Sequence, residues 1–246
     1  MLIGVSLKMY FSHARTVEWV SAVGGMLDAH PARDAVTAFV IPQYPSIPAA
    51  IQHGGRLAVG AQDVAAEDGG AFTGEVSAAV LAELGCRYVE VGHAERRRLF
   101  GDTEEVIATK VHAALRNGLT PILCVGESQQ VSADEAAEVC IRQIRSALAA
   151  ADAAGADGGF VVAYEPVWAI GAPAPADPEH IRGVCDRLRA LLGPGARSAA
   201  VIYGGSAGPG LLSLIADSVD GIFLGRFAHD PAAVRDILDE VDALSR

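Results

Sequence analysis

The chain has 246 residues, 51% of them hydrophobic, and a mean hydropathy of +0.29, ample for a large buried core. A formal net charge of −11 and a pI near 5.0 argue against nucleic acid or an anionic membrane surface as the main partner. The four cysteines (Cys86, Cys124, Cys140, Cys185) show neither a CxxC pair nor a zinc spacing, and no apolar run reaches membrane-spanning length. With no basic, signal-like leader before Lys8, the expected setting is the reducing cytoplasm.

In chain order, short apolar runs alternate with helix-period stretches. Leu2–Leu7, Val36–Ile41, Leu57–Ala61, Tyr88–Val91, Pro121–Val125, Phe160–Tyr164, Ala200–Tyr203 and Gly221–Leu224 read as strands. Thr103–Asn117, Ser132–Ala151 and Pro178–Leu192 read as amphipathic helices between them. Ser132, Asp177 and Asp230 stand where N-caps belong, with Pro178 and Pro231 at first helical positions. Asn117-Gly118 and Leu192-Gly193-Pro194 read as helix stops. Gly24-Gly25 should weaken the first helical stretch. Nothing marks a domain boundary. Eight continuous apolar strands, each followed by a helix, predict a parallel sheet covered by helices, closed as a single (β/α)8 barrel domain over residues 1–246. A doubly wound open sheet is second, and no GxGxxG follows a strand to support it.

The polar residues gain meaning from that fold, because C-terminal strand ends share one mouth. Lys8 follows the first strand, His93 the fourth, Glu165 the sixth, Tyr203-Gly204-Gly205-Ser206 the seventh and Gly225-Arg226 the eighth. Alone, Lys8 is a surface lysine, His93 a structural histidine and Gly-Gly-Ser a turn. Glu165 alone is a strand-end carboxylate capping the next helix. That reading leaves Trp168 unexplained, an apolar side chain in a loop bounded by Pro166 and Gly171. Together the groups suit proton abstraction beside a carbonyl on a small phosphorylated molecule. A desolvated carboxylate takes the proton and a neutral imidazole faces the developing oxyanion. His93 lies where Gly92-His93-Ala94-Glu95 turns from strand to helix, a position that favours the neutral ring. Backbone amides at Gly171, Ser206 and Gly225 suit a phosphate.

From end to end the chain resembles triosephosphate isomerases, whose fold is the TIM barrel. The motifs are Ser6-Leu7-Lys8-Met9, Val59-Gly60-Ala61-Gln62-Asp63, Ala71-Phe72-Thr73-Gly74-Glu75, Val91-Gly92-His93-Ala94-Glu95-Arg96-Arg97, Cys124-Val125-Gly126-Glu127, Ala163-Tyr164-Glu165-Pro166-Val167-Trp168-Ala169-Ile170-Gly171 and Tyr203-Gly204-Gly205-Ser206. The resemblance implies that Glu165 is the base and neutral His93 the electrophile, the pairing known for this family. It implies that Lys8 stabilises charge with Glu95 as partner. Gly171 to Ala176 would belong to a closing lid, and Ser206, Gly225 and Gly205 would bind phosphate. It implies no metal or organic cofactor, and a homodimer in which Ala71–Glu75 enters the neighbouring subunit.

Four departures surround the substrate. Ser6-Leu7-Lys8 replaces Asn-x-Lys, Ala94 replaces Ser, Gly171-Ala172-Pro173-Ala174-Pro175 replaces Gly-Thr-Gly-Lys, and Gly225-Arg226 replaces Gly-Gly. Ser6 is shorter than the Asn that touches substrate. The prolines restrict a segment that must move, and Arg226 brings a charged fork suited to the phosphate or to a carboxylate. The pattern is similar to a divergent branch acting on erythrulose phosphates, with Ser6 and Leu7 making room for one more hydroxymethyl group. That substrate is preferred here. Glycolytic triosephosphate interconversion is the alternative, a non-catalytic sugar-phosphate-binding barrel is more remote, and an amino-acid biosynthetic isomerase is a weaker enzyme reading.

Overall fold

A computed structural model describes residues 1–193 and 197–245. Eight parallel strands close into a ring in chain order: β1 (Leu2–Ser6), β2 (Thr37–Ile41), β3 (Ala58–Ala61), β4 (Tyr88–Val91), β5 (Thr120–Val125), β6 (Phe160–Tyr164), β7 (Ala199–Tyr203) and β8 (Gly221–Leu224). β8 pairs back onto β1, Leu2 opposite Gly221 and Val5 opposite Leu224. The expected strands are all present, with ends shifted by at most one residue.

Around the ring lie α1 (His13–Ala29), α2 (Ile47–His53), α3 (Ala78–Leu84), α4 (Ala94–Phe100), α5 (Glu104–Arg116), α6 (Ala133–Ala153), α7 (Pro178–Leu192), α8 (Leu212–Ile215) and α9 (Pro231–Leu244). Their boundaries follow local chemistry. Ser132 accepts from the Glu135 amide while the Glu135 carboxylate accepts from the Ser132 amide, a full capping box. Asp177 and Asp230 cap α7 and α9, each with proline in the first turn. At the end of α5, Gly118 takes φ +74°, the left-handed conformation glycine adopts without steric cost. The stop expected at Leu192-Gly193-Pro194 is present at Gly193, whereas Pro194 lies outside the described residues.

Two apolar layers hold the barrel. The inner one packs Phe39, Ile41, Ile122, Cys124, Val161, Ala163, Ile202 and Phe223 inside the ring. Phe39 stacks on Tyr88 with ring centroids 4.5 Å apart, and Gly4 makes space for it: a Cβ there would sit 2.2 Å from Phe39 Cζ. Burying one such aromatic side chain stabilises by roughly 1.5–3 kcal/mol. The outer layer lies between strands and helices and includes Trp19, Leu81, Val111, Ile144, Leu188 and Ile237. Gly24 belongs to close packing there, since a Cβ would meet the Gly54 carbonyl oxygen at 2.4 Å. Gly25 meets nothing within 4 Å, and the structure gives no reason for it.

A second kind of glue lies behind the C-terminal ends of β3 and β4. The buried Lys110 ammonium of α5 donates to both Asp63 oxygens at 2.8 and 3.0 Å and to Asp102 at 3.0 Å. Arg96 closes the network onto the same two carboxylates at 2.7 and 3.0 Å. It ties the loop after β3 to α4 and α5, and so fixes the helix that begins at His93.

Candidate active site

The C-terminal mouth of the barrel holds a cavity of about 710 Å³. Ser6, Lys8, His93, Glu95, Glu165, Gly171, Ser206, Gly225 and Arg226 all line it, as does Ala94. Of the residues singled out from sequence, Gly205 does not. It is packed against Pro166 and Tyr203, and its neighbour Gly204 faces the cavity. Leu7 also lies elsewhere: it is 1% exposed in the outer apolar layer and makes no room in the pocket.

Lys8 follows β1 with φ +47°, a left-handed conformation that side-chain-bearing residues seldom adopt. Gln62 braces that turn by donating to the carbonyls of Lys8, at 2.8 Å, and of Ile41, at 3.1 Å. The Lys8 ammonium donates to Glu95 at 2.7 Å. Burial opposes the ammonium charge, but the Glu95 hydrogen bond and charge, with Glu165 and Glu90 beyond, hold the Lys8 pKa above its ordinary value. Lys8 is a fixed cation here.

Gly92, at φ +77°, turns the chain out of β4, and His93 caps α4. Its Nδ1 accepts the Glu95 backbone N–H at 3.1 Å. An accepting Nδ1 carries no proton, so the ring proton sits on Nε2. Nε2 faces the Glu165 carboxylate, 3.5 Å from Oε2.

Glu165 leaves the end of β6 and is 7% exposed. Its amide donates to Val125 O at 2.8 Å, which fixes the backbone. Two glycines admit it. A Cβ on Gly126 would lie 2.0 Å from the Glu165 carbonyl oxygen, and one on Gly204 would lie 2.5 Å from carboxylate Oε1. Oε2 is buried and has no hydrogen-bond partner among the described residues. An unpartnered buried carboxylate oxygen is costly to hold charged and stands as an open acceptor in the cavity.

The loop after Glu165 begins with one 3-10 turn, Val167–Ala169. Trp168 now has its explanation: the indole N–H donates to the Glu127 carboxylate at 2.7 Å. Tyr164 donates to the same carboxylate at 3.2 Å. At its far end the loop is held by the Ala176 amide donating to the Tyr203 hydroxyl at 3.1 Å. Ser206, at φ +51°, donates to the Ala169 carbonyl at 2.7 Å. Arg226 makes no carboxylate pair among the described residues; its guanidinium donates to the Gly171 carbonyl at 3.3 Å.

The sequence reading passed over the lining residues Tyr10, Arg98 and Glu90, of which Glu90 is buried. Glu90 lies within β4, 4% exposed, pointing into a ring otherwise filled by apolar side chains. Ser6 donates to its Oε2 at 3.0 Å, and Oε1 is 4.0 Å from His93 Nε2. Burial raises the Glu90 pKa above the usual carboxylate range and the Glu165 charge adds to it, only partly opposed by Lys8 and the Ser6 hydrogen bond. The signal was an acid at an inward position of a four-residue buried strand, Tyr88-Val89-Glu90-Val91.

The family model described as triosephosphate isomerase matches residues 1–241. An L-erythrulose-1-phosphate isomerase of Pectobacterium atrosepticum is 50% identical, covering 100% of this chain and 97% of that protein. A protein of the same name from Rhizobium etli is 38% identical over 98% of this chain and 92% of its own length. A triosephosphate isomerase of Alkalilimnicola ehrlichii is 42% identical, covering 83% and 85% respectively.

Proposed function

The chain belongs to the triosephosphate isomerase family and is a sugar-phosphate isomerase, and we propose that its substrate is L-erythrulose 1-phosphate. The carbonyl moves from C2 to C3, which, renumbered, gives erythrulose 4-phosphate. The observation that carries the acid–base assignment is the unpartnered Glu165 Oε2, 3.5 Å from the protonated Nε2 of His93. The four-carbon substrate is supported by similarity to the two L-erythrulose-1-phosphate isomerases, 50% and 38% identical, and by the short Ser6 lining the cavity.

In this reading Glu165 removes the proton from C3. The C–H electron pair becomes the C2=C3 bond and charge collects on O2. His93 Nε2–H donates to that oxygen, and the Lys8 cation lowers its energy further. A proton passes from O3 to O2 through the enediol, and Glu165 returns its proton to C2 while O3 becomes the carbonyl. The base and electrophile are desolvated, which strengthens both interactions. Gly171, Ser206, Gly225 and Arg226 hold the phosphate, with Arg226 supplying a forked cation and Gly171 bringing the lid to it.

The functional unit is a homodimer. Loop Ala71–Glu75 is exposed with Phe72 at its tip, and Met9, Tyr10, Leu99 and Phe100 are exposed apolar side chains near the same mouth. The cytoplasm is the working compartment, consistent with four buried, unpaired cysteines. No helix among the described residues is long and apolar enough to cross a membrane.

The test is a paired turnover assay on L-erythrulose 1-phosphate and dihydroxyacetone phosphate, with Glu165→Ala as control for contaminating isomerase. Glu165-dependent turnover of the tetrulose with weak triose turnover supports the reading. Fast triose turnover without the tetrulose overturns it and returns the glycolytic reaction.

A further inference from the structure

Three carboxyl groups line the cavity, and the family chemistry uses two of them: Glu165 as base and Glu95 as partner of Lys8. Glu90 is left over. Among the described residues its hydrogen-bond donors are Ser6, itself 4% exposed, at 3.0 Å and the weak Cys124 thiol at 3.9 Å. A carboxyl group so placed is expensive unless a polar ligand meets it.

Its place in the ring defines what it can meet. The phosphate-facing residues come from the loops after β6, β7 and β8. Glu90 comes from β4, on the opposite side of the closed ring, three residues before His93 and therefore deeper in the barrel. His93 Nε2 lies 3.5 Å from Glu165 and 4.0 Å from Glu90. A sugar with its phosphate at the loops and its two reacting carbons between Glu165 and His93 must point its next carbon toward Ser6 and Glu90. A triose phosphate ends at the reacting carbon. A tetrulose 1-phosphate continues as a hydroxymethyl group.

We propose that Glu90, held by Ser6, binds the terminal hydroxyl of a four-carbon substrate and sets the enzyme's preference for it over the three-carbon sugar. The proposal rests on the tetrulose reading above. Burial holds the Glu90 pKa above its ordinary value, so the carboxyl that meets this hydroxyl takes up a proton more readily than a free one and can then donate as well as accept. The Ser6 hydroxyl fixes which Glu90 oxygen faces inward.

The experiment compares wild type, Glu90→Gln, Glu90→Leu and Ser6→Ala on both L-erythrulose 1-phosphate and dihydroxyacetone phosphate. Glu90→Leu is expected to lower the tetrulose-to-triose ratio of kcat/KM about 30-fold, chiefly through KM for the tetrulose. Glu90→Gln, which keeps a donor and an acceptor, is expected to stay within about 5-fold of wild type. Ser6→Ala should shift the ratio in the same direction by less, and it decides the matter if the leucine variant does not fold. Equal losses on both sugars, or no change on either, overturn the proposal while leaving the tetrulose reading standing. A wild-type enzyme inert toward the tetrulose overturns both, and that is visible before any variant is made.

Discussion

The backbone amide of Glu95 donates to His93 Nδ1 at 3.1 Å, so the first turn of a helix decides which nitrogen of the imidazole carries the proton. The side chain of the same Glu95 anchors Lys8 at 2.7 Å. One residue thus orients two groups of the site. Glu95→Gln keeps the amide and removes the charge beside Lys8. It is expected to lower kcat/KM about 10-fold and leave the fold intact, measured by turnover and circular dichroism. An unchanged rate would remove Lys8–Glu95 from the mechanism.

Gly204 offers a way to displace the base without touching it. A Cβ at this position falls 2.5 Å from Glu165 Oε1, 2.7 Å from its Cγ and 3.0 Å from its Cδ, all atoms of one rotatable side chain rather than backbone. Gly204→Ala should therefore cost little stability but move the carboxylate by a large fraction of an ångström. The expected loss in kcat is about 10²-fold, with the melting temperature close to wild type. A fully active variant would mean that the carboxylate position observed here is not the one used.

Lys110 is the keystone of a buried charge network, shared between Asp63 and Asp102. Lys110→Met retains the aliphatic stem and abandons two carboxylates to Arg96 alone. Breaking a buried pair from one side costs about 3–5 kcal/mol. Denaturant unfolding should show a loss of that order, and adding Asp63→Asn should restore part of it.

Glu90 gives a pH signature of stability. Burial raises its folded-state pKa above the ordinary 4.5. Between those two values the folded protein binds the proton and the unfolded chain does not. The group's contribution is full below pH 4.5 and declines as pH rises through the folded value. Glu90→Gln does not titrate. Its melting temperature relative to wild type should climb as pH is raised from about 4.5 toward neutrality. A difference constant across that range would place the Glu90 proton elsewhere.

Trp168→Phe removes the indole donor to Glu127 at the start of the lid. Glu127 keeps Tyr164, so the expected destabilisation is only about 1 kcal/mol. The larger effect should be on kcat and KM together, because the hinge loses its fixed end. Stopped-flow turnover with thermal melting distinguishes the two.

The barrel was legible because each strand is a short, uninterrupted apolar run and each helix carries its own cap chemistry, as at Ser132 and Asp177. Lys8, His93 and Glu165 were legible because strand ends share one mouth. The misses have a common cause: they depend on which neighbours meet across the ring. Leu7 turns outward because Ser6, one residue earlier, turns inward. Gly204 and Gly205 differ by one step of backbone, and only the first faces Glu165. The reach of the Arg226 guanidinium to the Gly171 carbonyl, 55 residues away, likewise depends on which loops meet across the ring. Glu90 was hidden inside a strand whose other residues satisfied the apolar pattern, and its partner Ser6 is 84 residues distant.

Lys8 and Ser206 both hold left-handed backbone, at φ +47° and +51°, with side chains that line the cavity. Glycine at either position would relieve that conformation at a gain of about 1 kcal/mol. A directed-evolution campaign screened for heat resistance alone will drift toward glycine at both positions and discard the cation and the hydroxyl together. Libraries built on this scaffold should hold residues 8 and 206 constant and seek their gains in the helices.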